Sequence, residues 1–371
     1  MRGPRLSVRP SLSPGIYTTR PTDSLPWPLD EAGCRLYARA RHGLWHGVRA
    51  LGLGAGDELL VPAYHHGSEI EAITKAGIRC VFYETPVDLE PDESEMEGLL
   101  ERHPKIRGLL LIHYLGFPQD AKRWRAWCDE RDLLLIEDAA QAFLASSVDG
   151  PVGSDGDMSV FCIYKTYGVI DGAAMICSRP PERSNERRRT RIAQTLRRHG
   201  AWIAQRSSLL SGLRARIKRG DGYNIATDFG LGRADSTPAV ATKALLARTL
   251  ATDAAATRRA NYSYLLSELN DVVAAAWSSL PGGASPFCFP IETGAKERLL
   301  RALLDRNVIA LNLWSVPHPL LEVERFANAR KLRGHVLGLP VHQELRRRDL
   351  DRIVTAYRQA AEQINDFPSS A

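Results

Sequence analysis

The sequence predicts an α/β fold, with a mainly parallel central sheet covered by helices and a smaller C-terminal α/β unit. Three observations carry this. Short runs of continuous apolar residues recur, such as "ELLVP", "GLLLIH" and "LLLIE", as in strands buried on both faces. Segments with helical apolar spacing separate them, the alternation of a parallel sheet. The chain has 371 residues, 44% hydrophobic and 25% charged, enough for one large domain with an appendage or for two domains.

Residues 1–30, rich in Pro, Ser and Arg, read as an extended arm rather than a packed element. A large domain over 31–270 follows. Leu36 to Leu51 has helical spacing and ends at "GLGAGDE", whose glycines suit a helix C-cap and turn. Strand "ELLVP" leads to a helix over Ser68–Ala76, then strand "CVFYE", a helix over Ser94–Arg102, strand "GLLLIH", a helix over Asp120–Glu130 and strand "LLLIE". "DMSVFCIY" and "GAAMICS" are two further strands, flanking the loop that carries Lys165. An arginine-rich insertion occupies about 179–235, and a long helical pattern runs from Pro238 to Leu269. The small domain, 271–371, reads as strand "FCFPIE", a helix over Lys296–Arg306, strand "VIALNLW", a short helix near Val323–Lys331 and a closing helix over Arg348–Ile364.

The net charge of +6 is concentrated between Arg179 and Arg219. Such a block suits a nucleic acid, a membrane surface, an anionic substrate or a solvated helix face. No aromatic interleaving or zinc-finger spacing accompanies it, which favours the last two. Six scattered cysteines with no C-x-x-C pair are expected to be reduced, in a cytoplasmic setting. No apolar run is long enough to span a bilayer, and the N-terminus lacks the apolar core of a signal peptide.

Common α/β chemistries lack their motifs: no G-x-G-x-x-G follows the first strand, and neither G-x-x-x-x-G-K-[ST] nor G-x-S-x-G occurs. His42 and His46 are four apart on a helix but without a third ligand, and the adjacent His65 and His66 point different ways, so no metal site is expected.

Asp138 and Lys165 fit together. Glu137 and Asp138 end a buried strand, where one of them could simply cap the next helix. Lys165 follows the apolar "SVFCIY" and precedes Gly168 and Gly172. A desolvated lysine is more readily neutral, and a neutral amine forms a Schiff base with an aldehyde. An acid beside a pyridine nitrogen keeps that nitrogen protonated and makes the ring an electron sink. The pair fits pyridoxal phosphate, with Asp138 on the ring nitrogen and Lys165 on the aldehyde.

The stretches "RALGLGAGDELLVPAYHHGSEIEAITKAGIRCVFYE", "LLLIHYLGFPQD", "LLLIEDAAQAFLASSVDGPVGSDGD", "VFCIYKTYGVIDGAAMI" and "HVLGLPVHQEL" together resemble the DegT/DnrJ/StrS-type aminotransferases, a group within the fold-type-I pyridoxal phosphate enzymes. The resemblance runs from about Arg39 to Ile353. It implies a homodimer with its active site at the interface, and transfer of an amino group from glutamate or glutamine to a keto-sugar, often nucleotide-linked. It implies that Lys165 is the Schiff-base lysine, Asp138 the acid at the ring nitrogen and Gln141 the glutamine near the phenolic oxygen. His66 falls where the family has a ring stacked on the pyridine, with His65 as the fallback. Trp314 and His318 match a region near the active site, and Tyr114 and His342 are further candidates that suit a structural role better.

Three departures mark this chain. Where the family has a G-T-x-A-L turn for the cofactor phosphate, it has "ARHGL", with Arg41 in the threonine's place and His42 beside it. Cys162 replaces a serine before the lysine, and is a weaker hydrogen-bond partner. Asn224 in "GYNIA" resembles the asparagine that a second subunit contributes, though the spacing back from "RRANY" points instead to the stretch near Arg233. The alternatives are a dehydratase, whose relatives carry histidine at the lysine position, and a catalytically lapsed binding or regulatory protein.

Overall fold

In the computed structural model, which describes residues 5–181, 192–206 and 229–364, the six apolar runs read as strands form one sheet, joined at its edge by a seventh strand, Arg35–Tyr37, that the sequence reading had not placed there. Its strands are β2 (Arg35–Tyr37), β3 (Glu58–Pro62), β4 (Arg79–Tyr83), β5 (Ile106–Ile112), β6 (Leu134–Ala139), β7 (Met158–Cys162) and β8 (Ala173–Cys177). Their spatial order is β2-β8-β7-β6-β5-β3-β4. Strands β3 to β7 pair in parallel, while β8 and β2 close one edge antiparallel. From β3 the chain moves outward to β4 and then returns to β5 on the other side. Such a reversal opens a crevice at the carboxyl ends of the strands.

Successive side chains leave a strand on opposite faces, and both faces here are apolar. Val61, Leu110 and Ile136 join one core with Leu44 and Val48 of α1 (Ala40–Ala50) and Ile70 and Ile73 of α2 (Ser68–Lys75). Their neighbours Leu60, Leu109 and Leu135 join a second core with Met96 and Leu99 of α3 (Glu93–Arg102) and Trp124 and Trp127 of α4 (Ala121–Asp129). Helix α1 lies close on the sheet because Gly47 faces it: a Cβ there would stand 2.3 Å from Met158 Cε. The N-terminus of α1 is thereby held at the crevice.

A second sheet, β11 (Leu311–Asn312), β12 (Val336–Leu339) and β9 (Phe289–Glu292), is antiparallel. Strand β12, within "HVLGLPVHQEL", was not foreseen as a strand, and it is the centre of this sheet. "VIALNLW" splits: β10 (Val308–Ile309) leaves β11 to pair with β1 (Leu6–Ser7).

The N-terminal segment, expected as an arm rather than a packed element, is packed, and Pro14–Tyr17 within it form a 3-10 turn. Its Leu6, Val8 and Leu12 are buried, because three apolar side chains alternate with polar ones along one edge. The first predicted helix begins later, at Ala40, since Arg35–Tyr37 add to the sheet edge. The long helix predicted over Pro238–Leu269 is two helices, Val240–Thr249 and Ala254–Glu268, and Asp253 caps the second by accepting from Ala256 N–H at 2.9 Å. The short helix near Val323 is a 3-10 turn at Val323–Arg325 followed by a helix over Ala327–His335. All six cysteines are unpaired. Among the described residues no helix is long and apolar enough to cross a membrane, and no cluster of three or more His, Cys, Asp or Glu side chains could hold a metal ion.

Candidate active site

A cavity opens where β3, β5, β6 and β7 end, lined among others by His66, Glu69, His113, Asp138, Gln141, Cys162, Tyr164, Lys165 and Trp314, with Arg39 and Arg41 at the start of α1. Seven of the residues singled out from sequence meet here: Lys165, Asp138, Gln141, His66, Arg41, Cys162 and Trp314.

Lys165 lies on the short helix Ile163–Thr166 that follows β7, and Asp138 on the neighbouring strand β6. Asp138 Oδ1 accepts from the Ala140 N–H at 2.8 Å. Burial first, then the carboxylate of Glu69, pushes Asp138 up to about 6, while Lys165 pulls the other way. A carboxylate with a raised proton affinity and only partial compensation is one that a cationic N–H would stabilise. Gln141 Oε1 accepts from the Leu115 N–H at 2.9 Å, which leaves its amide nitrogen for the cavity.

His66 stands edge-on to Phe229, with ring centroids 5.8 Å apart, and its backbone N–H donates to Glu69 Oε1 at 2.7 Å. Burial pulls the His66 ring down to about 4, against the attraction of Glu69. His65 turns away from the cavity, fully buried against Phe82 at 5.7 Å. Adjacent side chains diverge, so only one of the two can face the site. Arg41 Nη1 donates to the Gly230 carbonyl at 2.7 Å. Trp314 sits at φ 46, and its carbonyl accepts from Arg333 Nη1 at 2.6 Å.

Four other candidates lie outside the cavity lining. His42, one position along α1 from Arg41, faces Leu231 and donates from Nε2 to its carbonyl at 3.0 Å. Tyr114 stands behind the site, donating to the Tyr64 carbonyl at 2.8 Å, with its ring against Tyr64. His318 is held between Glu71, at 3.4 Å, and Phe229. His342 also stays clear of the lining, its Nδ1 accepting from the Glu344 N–H at 3.2 Å. Asn224 and much of the arginine-rich insertion lie outside the described residues.

Glu137 ties the loop after β6 together and does not line the cavity. Fully buried, it accepts from the N–H groups of Gly153, Asp155 and Gly156, and from His113 Nε2 at 2.9 Å. His113 Nδ1 accepts from the Gln119 N–H, which fixes the neutral tautomer.

Glu69, His113, Arg39, Tyr164 and Arg258 were not singled out from sequence. Glu69 reads as an ordinary acid in a first helical turn. Arg258 reads as one of a pair of arginines in a helix, yet it is 1% exposed and donates to the carbonyls of Thr166 and Pro286 and to Gln343 Oε1.

A part-buried carboxylate, an amine just past the end of the adjacent strand, an open amide and a helix N-terminus flanked by arginine are the groups that hold a phosphorylated pyridine aldehyde, and the residues present fit it. The parallel sheet and this site define a fold-type-I pyridoxal phosphate transferase. The sequence profile of the DegT/DnrJ/EryC1/StrS aminotransferase family matches residues 37–358, and the chain belongs to that family. It is 26% identical over 344 residues to dTDP-3-amino-3,4,6-trideoxy-alpha-D-glucose transaminase of Streptomyces venezuelae, covering 86% of this chain and 80% of the relative. It is 26% identical over 347 residues to UDP-N-acetyl-3-dehydro-alpha-D-glucosamine 3-aminotransferase of Acidithiobacillus ferrooxidans, covering 88% and 83%. Its fold is similar to that of DesV from S. venezuelae (TM-score 0.63, 22% identity, 89% and 85% coverage). It is also similar to NtdA from Bacillus subtilis, solved with the cofactor PMP (TM-score 0.59, 16% identity, 89% and 73% coverage).

Proposed function

We propose that this protein is a pyridoxal-phosphate-dependent aminotransferase that moves an amino group from glutamate or glutamine to a nucleotide-linked keto-sugar, working as a cytoplasmic homodimer. The observation that carries the reading is the meeting of Lys165 and Asp138 in one cavity, on adjacent strand ends. Family membership and the sugar substrates in the relatives' names support the reaction class and the acceptor.

When bound, the cofactor supplies an aldehyde that takes up amines and a ring that accepts an electron pair. Asp138 would keep the ring nitrogen protonated, the Gln141 amide would donate toward the phenolic oxygen, and His66 would pack beside the ring. Lys165 would hold the cofactor through its aldehyde, and its amine is the group placed to move a proton as general base and acid. The α1 N-terminus with Arg41 and Cys162 would hold the phosphate. The lysine favours transamination over dehydration.

Borohydride reduction of the cofactor-loaded protein, digestion and peptide mapping test this. A pyridoxyl label on Lys165 is expected, and its absence at saturating cofactor would overturn the reading. A panel of nucleotide-linked keto-sugars with glutamate identifies the acceptor, and sedimentation reads the oligomeric state.

A further inference from the structure

Next to the cavity, guanidinium groups from three separate parts of the chain gather around one aromatic ring. Tyr164, the residue before Lys165, lines the cavity. The Arg39 guanidinium lies over its ring at 4.5 Å and that of Arg9 at 5.8 Å. Arg198, on the helix Ile192–Arg206, has Arg9, Arg39 and Arg197 as its charged neighbours, with Tyr164 beside them. Among the described residues no ion pair joins a carboxylate to any of these arginines.

The gathering is built rather than incidental. Arg9 is carried by the N-terminal segment, which is fixed by pairing of Leu6 and Ser7 with β10 and by burial of Val8 and Leu12. Arg198 is brought to it by the next residue, His199, whose Nδ1 donates to the Leu12 carbonyl at 3.0 Å and whose Nε2 accepts from the Tyr17 hydroxyl at 2.9 Å. Arg39 precedes the first turn of α1 without a side-chain cap, so the open amides of that turn add partial positive charge on the same side.

Like charges held together in partial burial repel, and that cost is recovered when an anion enters. The fork of a guanidinium matches phosphoryl oxygens in particular. Cation–π contact with Tyr164 holds two of the forks in place without neutralising them.

We infer that Arg9, Arg39 and Arg198 form a phosphoryl-binding site at the mouth of the cavity, so that the N-terminal segment is part of the active site. The inference rests on the sugar-aminotransferase reading for its anion: the phosphoryl groups belong to the nucleotide-linked acceptor or to the cofactor. Three guanidinium groups spread over three elements suit a diphosphate better than one phosphate.

The test measures binding of uridine diphosphate to the cofactor-loaded protein by calorimetry at low and high salt, and of pyridoxal phosphate and pyridoxal to the cofactor-free protein. Wild type is compared with Arg9→Gln, Arg198→Gln and the double variant. Arg9 is exposed, so its replacement leaves the fold intact, and Arg9→Lys with Arg198→Lys retains the charge. The expected result is salt-sensitive uridine diphosphate binding, weakened about tenfold or more in the double variant and partly regained with lysine. Cofactor affinity is then unchanged, which assigns the site to the acceptor. Weakened pyridoxal phosphate binding with pyridoxal unaffected assigns it to the cofactor's phosphate instead. If neither ligand responds to either substitution, the site is overturned. A borohydride label on Lys165 in that same preparation shows that only this inference has failed, and a missing label that the function reading has failed too.

Discussion

Arg258 donates a 2.7 Å hydrogen bond to the carbonyl of Thr166, the residue that follows Lys165. The same guanidinium donates to the Pro286 carbonyl and to Gln343 Oε1, whose amide nitrogen in turn donates to Thr166 O. Lys165 therefore sits on a helical turn whose end is tied to the segment before β9, through Pro286, and to the segment after β12, through Gln343. Among the described residues no carboxylate neutralises Arg258, so its whole hydrogen-bonding capacity is spent on position.

Arg258→Met should lower kcat about tenfold or more with a smaller change in KM, since a misplaced amine slows proton transfer without removing a substrate contact. The wild-type rate and a normal spectral pH titration of the bound cofactor in Arg258→Met would rule out positioning.

Glu137 and Asp138, side by side in sequence, should separate by assay. Glu137→Ala strands three backbone N–H groups and His113 in the core and should cost about 3 kcal/mol or more, seen as a lower Tm with or without cofactor. Asp138→Asn keeps the fold and should weaken cofactor affinity at least tenfold.

The pH dependence of the cofactor-free protein follows from Asp138. Its carboxyl is raised from 3.8 to about 6, so between those values the folded chain keeps a proton that the unfolded chain releases. This residue's contribution to stability is full below pH 4 and is lost as pH rises through about 6. Asp138→Asn should therefore raise Tm relative to wild type at pH 7 and not at pH 4. An equal difference at both values would show that Asp138 titrates normally.

His65 acts with the opposite sign. It is fully buried, both ring nitrogens lack a hydrogen bond, and burial holds its pKa well below 6.5. The unfolded chain takes up a proton below pH 6.5 that the folded chain refuses, so stability falls as pH falls. His65→Phe removes two unsatisfied polar atoms, a gain of about 1 kcal/mol, and its Tm advantage over wild type should be larger at pH 5 than at pH 8.

Cys162 ends β7 in the cavity lining, where a thiol is a poor phosphate donor. Cys162→Ser should tighten pyridoxal phosphate binding several-fold by equilibrium dialysis and leave pyridoxal binding unchanged.

Local pattern determined the strands and most helices by itself, because burial on both faces forces continuous apolar runs and exposed helices must alternate. It also determined the Lys165–Asp138 pair, since both residues end buried strands and the carboxyl ends of parallel strands lie together. Only tertiary structure decided the rest. Arg35–Tyr37 become an edge strand because β8 offers a free side there. Near the N-terminus Leu6 buries where β10 pairs beside it, and Leu12 where Gly168 leaves room for the chain. His42 and His66 look alike in sequence, and packing alone turns one toward Leu231 and the other into the cavity. Arg258 reaches Thr166, and Arg9 and Arg39 reach Tyr164, across long stretches of sequence, and such long-range contacts leave no period in the sequence to read.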